Sequence, residues 1–192
     1  MIVTENIHTD PGMPTAVALG TFDGVHIGHR AVIGAAVELA HANGLLSAVF
    51  TFADLPRNAF LPEDKRIPAL CTREERAELI AQTGVDIMVC PEFNAALRDM
   101  EPEAFIEDVL IGSLRARHIV CGYDHRFGAG GRGDAELLMH ICREADVGVT
   151  IIPPVMYNGE RVSSTLIRSS LARGDRATAY AMLGREPDAA GE

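Results

Sequence analysis

Five short apolar runs recur along the chain: TAVALG (15–20), LLSAVFTF (45–52), VDIMVC (85–90), RHIVCG (117–122) and VGVTIIP (147–153). None shows the strict apolar/polar alternation of a half-exposed strand. Each therefore reads as a strand buried on both faces, the pattern of a parallel sheet covered by helices. The intervening segments change to helical spacing. Residues 26–42 carry Val32, Ala35, Ala36 and Leu39 on one side, and Asn43-Gly44 supplies a stop. Thr72 and Glu75 make a T-x-x-E capping box, with Gly84 closing the helix it opens. EPEAFIEDVLIGSL (101–114) has a first-turn proline and an apolar face of Phe105, Ile106, Val109 and Leu110. GDAELLMHICREA (133–145) starts from Asp134 as N-cap. In MYNGERV an Asn-Gly turn predicts a small hairpin before SSTLIR opens another helix.

This alternation predicts an α/β fold, a Rossmann-like doubly wound parallel sheet of about five strands, as one domain over residues 1–192. In such folds the site lies beyond the carboxyl ends of the strands. Chemistry-bearing residues cluster at three such ends: 20–29, 122–128 and 163–168.

Composition narrows the choice of function. A chain of 192 residues that is 47% hydrophobic and 23% charged is an ordinary globular protein rather than a disordered one. The net charge of -10 argues against nucleic acid as partner, since phosphate backbones are neutralised by surplus basic residues. Lys65 is the only lysine among 17 basic residues. So general an arginine bias makes only arginines at strand ends informative. Cys71, Cys90, Cys121 and Cys142 have no C-x-x-C spacing and sit in or beside apolar stretches, as reduced core cysteines of a cytoplasmic protein do. The first residues lack the basic start and apolar centre of a signal peptide, and no run of eighteen apolar residues offers a membrane span.

GTFDGVHIGHR (20–30) carries the strongest signal. Gly20 and Gly24 permit tight turns, Gly28 allows close backbone approach, and the helix that follows presents free N–H groups and the positive end of its dipole to an anion. His26 and His29, three residues apart in the first turn, can donate Nε2–H to phosphate oxygens. Two other roles compete: one ring caps the helix while the other fills the core edge, or the pair binds zinc. Asp23 orients either a loop amide or a histidine. In SSTLIR, N-capping explains one of the hydroxyls of Ser163, Ser164 and Thr165 but not Arg168, one turn on, which suits charge-assisted binding of β- and γ-phosphates. Asp124, past the fourth strand, can hold Mg²⁺ directly or through water.

The H-x-G-H stretch resembles the signature of the nucleotidylyltransferase superfamily. In its G-T-F-D-G-V-H-x-G-H form it is most similar to the adenylyltransferase domain of bacterial bifunctional FAD synthetases. The similarity continues through VFTFADLPRNAF (49–60), like a strand ending in T-F-x-P-H-P, and through the Phe-containing loop and Glu-x-Phe-Ile helix of 85–110. It also takes in VCGYDHRFGAGGRGDAELL (120–138) and VSSTLIRSSLARGDRATAYAMLGR (162–185). The resemblance implies Mg²⁺-dependent transfer of AMP from ATP to FMN, giving FAD and pyrophosphate. His26, His29 and Arg168 would be catalytic, and Gly20, Thr21, Phe22, Asp23, Gly28, Ser163, Ser164 and Thr165 would bind nucleotide. Phe52, Asp124, Arg126, Phe127 and Gly128 would bind flavin, with Asp124 also at the metal. Phe127 has a competing role in the core, and Arg126 one in a solvated turn.

Two departures fall on the acceptor side: Leu55-Pro56-Arg57 stands where the family has P-H-P, and His125 replaces an aromatic Phe. They keep open a second enzyme hypothesis, transfer to another phosphorylated metabolite. A third is a catalytically idle nucleotide- or flavin-binding module. The chain ends LGREPDAAGE where the family's riboflavin kinase barrel begins, so kinase activity is expected to be absent. The pattern specifies no oligomeric state.

Overall fold

The computed structural model describes residues 1–186. The segment 187–192, within the stretch on which the expectation of a missing kinase barrel rests, lies outside them.

Six parallel strands form the sheet: β1 (Ile2–Thr4), β2 (Thr15–Leu19), β3 (Leu46–Phe50), β4 (Ile87–Val89), β5 (Ala116–Gly122) and β6 (Gly148–Ile152), in the order β1-β4-β3-β2-β5-β6. β2 is central and every one of its residues is buried, as its unbroken apolar run requires. Successive strands β3 and β4 are added on one side of β2 and β5 on the other. The strand order therefore reverses between β2 and β5, which makes a crevice at their carboxyl ends.

The chain has one strand more than its apolar runs announce. β1 is a three-residue edge strand whose Ile2 and Val3 are 66% and 50% exposed. Too short for periodicity and too exposed to need a buried run, it is held by pairing with β4.

Helices α1 (Ile27–Asn43) and α2 (Arg73–Ala81) pack on one face over Ala18, Val49 and Met88. The opposite face buries Val17, Leu19 and Val89 under residues 105–114 and α5 (Ala135–Glu144). Two short helices, α3 (Ala95–Arg98) and α4 (Pro102–Ala104), follow β4 along the chain. α4 leads into a π-helical segment, Phe105–Ser113, whose Phe105, Ile106, Val109 and Leu110 are buried. The apolar face is the expected one; the wider hydrogen-bonding pattern is not visible in its spacing.

The caps follow the residues. Gly44 ends α1 in the left-handed conformation, Thr72 and Glu75 form the reciprocal box, and Asp134 caps α5. β7 (Met156–Tyr157) and β8 (Glu160–Arg161) make the hairpin around Asn158-Gly159, both with positive φ. α6 (Ser164–Ala172) and α7 (Arg176–Leu183) then form a small third apolar cluster around Ile167 and Met182. Cys90, Cys121 and Cys142 are core residues, whereas Cys71 is only half-buried, a correction to the uniform expectation for the four.

Candidate active site

A cleft of about 700 Å³ opens at the carboxyl ends of the central strands. It is lined by the β2–α1 loop, the segments after β3, β5 and β6, and the start of α6.

The β2–α1 loop is held in an unfavourable conformation. Phe22 (φ 48°) and Val25 (φ 41°) both occupy the left-handed region with their side chains fully buried. Such positions cost roughly 1–3 kcal/mol each and persist only where the surroundings determine them. The restraints are identifiable. Thr51 Oγ1 donates to the Thr21 carbonyl at 3.0 Å, and Arg76 of α2, 95% buried, donates to the carbonyls of Phe52 and Ala53 at 2.6 Å each. A third, longer bond at 3.5 Å runs from Arg76 to Thr21. One buried guanidinium thus ties two strand-end loops together, a role that nothing in its helical sequence context signals.

His26 is the N-cap of α1: its Nδ1 accepts the N–H of His29 at 3.2 Å. A neutral imidazole accepting at Nδ1 carries its proton on Nε2, so the ring that caps the helix still has a donor to give. Capping and ligand binding are therefore compatible in this residue. The rings of His26 and His29 stack 3.5 Å apart at 16°. Gly28 accommodates this, because a Cβ there would press on the His26 ring at 3.2 Å. Burial lowers the pKa of His26 to about 4, and burial together with repulsion from His26 holds His29 well below its ordinary value. Both rings are neutral near pH 7. His29 Nδ1 is buried with no hydrogen-bond partner among the described residues.

Asp23, 2% exposed, joins three segments. Its Oδ1 accepts from Leu70 N–H at 2.8 Å, its Oδ2 pairs with Arg168, and its backbone carbonyl accepts the Ser164 hydroxyl at 3.0 Å. The contact to Leu70 is the loop-amide role weighed for Asp23; the partnership with Arg168 was not foreseen. Arg168 also donates Nε to the Pro68 carbonyl at 2.7 Å, which leaves Nη1 as its uncommitted edge. Ser163 caps α6 through Leu166 N–H at 3.2 Å. Thr165 is exposed on the cleft wall and its hydroxyl makes no hydrogen bond among the described residues.

The opposite part of the lining is looser. Asp124 is ion-paired with Arg161 at 3.2 Å, and Arg126 with Asp134 at 3.1 Å, all on exposed side chains. Arg161 also bonds the Tyr123 hydroxyl. His125 is half-buried, with a pKa lowered to about 4 by burial against the opposing pull of Asp124.

Three expected flavin contacts lie outside the cleft lining. Phe127 is in the core, 8% exposed, packed 5.9 Å from the Phe105 ring. Gly128 lies against Pro102, where a Cβ would collide at 2.6 Å, so its glycine serves packing. Phe52 meets Phe50 and Phe93 edge-on, against the core cluster. The other expected residues, Gly20, Thr21, Phe22, Asp23, His26, Gly28, His29, Asp124, Arg126, Ser163, Ser164, Thr165 and Arg168, all line the cleft. Arg57, expected on the acceptor side as a departure from the motif, joins them, as do Tyr123 and Arg161, which were not singled out. Arg161, two residues before the serine pair, was the one a search beside the motif would have found.

A family model described as FAD synthetase matches residues 9–166. The bifunctional riboflavin kinase/FMN adenylyltransferase of Listeria monocytogenes is 35% identical over 170 residues, covering 88% of this chain and 53% of its own length. The FAD synthetase of the same organism is 34% identical over 168 residues, covering 88% and 68%. The bifunctional protein of Escherichia coli K12 is 33% identical over 180 residues, covering 93% and 57%. The chain thus spans about half the length of the bifunctional relatives. Among solved structures, one titled a macrolide-efflux protein from Streptococcus pneumoniae superposes with a TM-score of 0.84 at 27% identity, covering 96% of this chain and 60% of that one. No helix among the described residues here is long and apolar enough to cross a membrane. A pantoate-β-alanine ligase from Francisella tularensis, with a TM-score of 0.57 at 12% identity, covers 100% of this chain and 82% of its own; it shares the fold.

Proposed function

The chain belongs to the FAD synthetase family, and from that premise we propose that it transfers AMP from ATP to FMN, forming FAD and releasing pyrophosphate. The observation that carries the proposal is the convergence of His26, His29, the start of α1, Thr165 and Arg168 on one cleft. This is a donor set matched to a triphosphate.

The FMN phosphate is already a nucleophile at neutral pH, so no general base is needed. Its oxygen forms a bond to the α-phosphorus as the bond from that phosphorus to the bridging oxygen of pyrophosphate breaks. Catalysis then consists of holding the reactants in line and stabilising charge on the departing pyrophosphate. His26 Nε2–H, its direction set by the cap at Nδ1, is a preorganised donor. Arg168 presents Nη1 while Asp23 and Pro68 hold its other edge.

Mg²⁺ fits the donor set in one respect: it prefers one or two carboxylates plus substrate phosphates. Asp124 is a single exposed carboxylate on the cleft wall, and no three metal-binding side chains gather among the described residues. Asp124 would hold the ion from the protein side through Oδ1, while Oδ2 keeps its pair with Arg161. When bound, Mg²⁺ supplies charge neutralisation on the triphosphate.

The test is FAD formation from FMN and MgATP by the purified chain, followed by chromatography and pyrophosphate release. Turnover with FMN is expected. Pyrophosphate released with another phosphate monoester but not with FMN would replace the acceptor, and nucleotide binding without turnover on any acceptor would overturn the enzymatic function.

A further inference from the structure

Resting on that assignment of the reaction, we propose that Arg57 is the binding site for the acceptor's phosphate, taking a phosphate-monoester dianion on the β3 side of the cleft. Four arginines line the cleft. Arg126, Arg161 and Arg168 are each paired with an aspartate. Arg57 is exposed and makes no hydrogen bond, ion pair or ring contact among the described residues. In a chain with 27 acidic residues against 17 basic ones, a cleft cation with no carboxylate beside it is left free for an anion from outside.

Its backbone is fixed although its side chain is free. Arg57 sits in a single 3-10 turn, Pro56–Asn58, closed by Asn58 N–H to the Leu55 carbonyl at 2.7 Å. The Asn58 side-chain amide then bonds both backbone groups of Ile67, donating at 2.7 Å and accepting at 2.9 Å. Ile67 precedes Pro68, which holds Arg168. The turn that presents Arg57 and the guanidinium on the nucleotide side are thus referenced to one segment of chain.

The chemistry needs such a group. In an in-line displacement the entering and leaving oxygens lie on opposite sides of the α-phosphorus. Groups that grip the departing pyrophosphate therefore cannot also hold the entering phosphate, and a dianion brought up to a triphosphate is repelled unless a cation accompanies it. Arg57 supplies that cation, and its planar fork suits a phosphate. Arg126 is the rival, but its guanidinium is engaged by the N-cap of α5.

Arg57→Gln, Arg57→Lys and Arg126→Gln should be compared with the unaltered protein by FMN and riboflavin binding, read from flavin fluorescence, and by steady-state FAD formation. Arg57→Gln should weaken FMN binding roughly tenfold, the loss of one charge-assisted contact. It should leave riboflavin, which lacks the phosphate, and the KM for ATP unchanged. Arg57→Lys should recover part of the loss. Equal shifts for FMN and riboflavin, no shift for either, or a phosphate-selective loss in Arg126→Gln instead would overturn the proposal while FAD formation by the unaltered protein left the assigned reaction standing. An unaltered protein that neither binds FMN nor forms FAD would remove the reaction itself, and this assignment of its acceptor site with it.

Discussion

On one side of the cleft almost every functional group already has an internal partner; on the other, the groups are exposed or free. Residues 20–29, which hold the stacked histidines, are joined to 163–168 by Asp23 and the Ser164 hydroxyl and underpinned by a buried Arg76. Residues 55–57 and 123–126 present Arg57, Tyr123, Asp124 and Arg126 to solvent. The first region is preorganised, which is the property that the proposed stabilisation of charge in a transition state requires. The second is suited to recognising a substrate, where exposed contacts contribute modestly and can vary without unfolding the protein.

If that contrast is correct, perturbing the two regions should produce different kinds of defect. The largest effect is expected for His26→Ala and His29→Ala, each lowering kcat by about 10²-fold or more, the cost of one preorganised donor. A loss confined to KM would show that the rings only bind. Next comes Asp23→Ala, which leaves Arg168 and Leu70 N–H without their partner in a nearly buried place. It should reduce kcat by about tenfold and stability by about 2 kcal/mol, measured by urea unfolding, a value discounted because Arg168 is 21% exposed.

Acidification tests the same region without mutation. His26 has a folded pKa of about 4 against 6.5 when unfolded. Below pH 6.5 the unfolded chain takes up a proton that the native state refuses, so stability falls as the pH drops from 6.5 towards 4. His26 alone accounts for about 3 kcal/mol of that fall. Denaturation curves at several pH values should show the decline, and His26→Gln should make it shallower, with His29 and His125 keeping their share. The smallest effects belong to the open wall. Asp124→Asn should change stability by less than about 1 kcal/mol, since its pair with Arg161 is exposed, and raise the KM for MgATP by roughly several-fold. A large unfolding effect there would erase the distinction between the two regions.

Most of the strand and helix pattern was legible because its signals are local. An unbroken β-branched run, a T-x-x-E box or an Asn-Gly turn acts over a few residues, and the structure keeps each of them. β1 escaped because pairing with β4, rather than its own composition, makes it a strand. Phe127 and Gly128, expected at the flavin, lie outside the cleft lining for a related reason. An aromatic residue beside a glycine at a strand end looks the same whether it faces ligand or core, and only the neighbours Phe105 and Pro102 decide. Arg57 was noticed as a departure from a motif, but that it is the unpaired member of the four cleft arginines is a statement about the other three.

By itself the sequence determined the alternating α/β architecture, the three strand-end loops and most of the residues that line the cleft, because backbone propensity, capping and glycine placement are short-range. The tertiary structure alone decided the partnerships: Asp23 with Arg168 across 145 residues, Arg76 beneath two loops, and His26 as the cap of α1 through Nδ1. Those depend on which side chains the sheet order brings within hydrogen-bond reach, and a buried charge or donor is satisfied by whatever the fold places beside it.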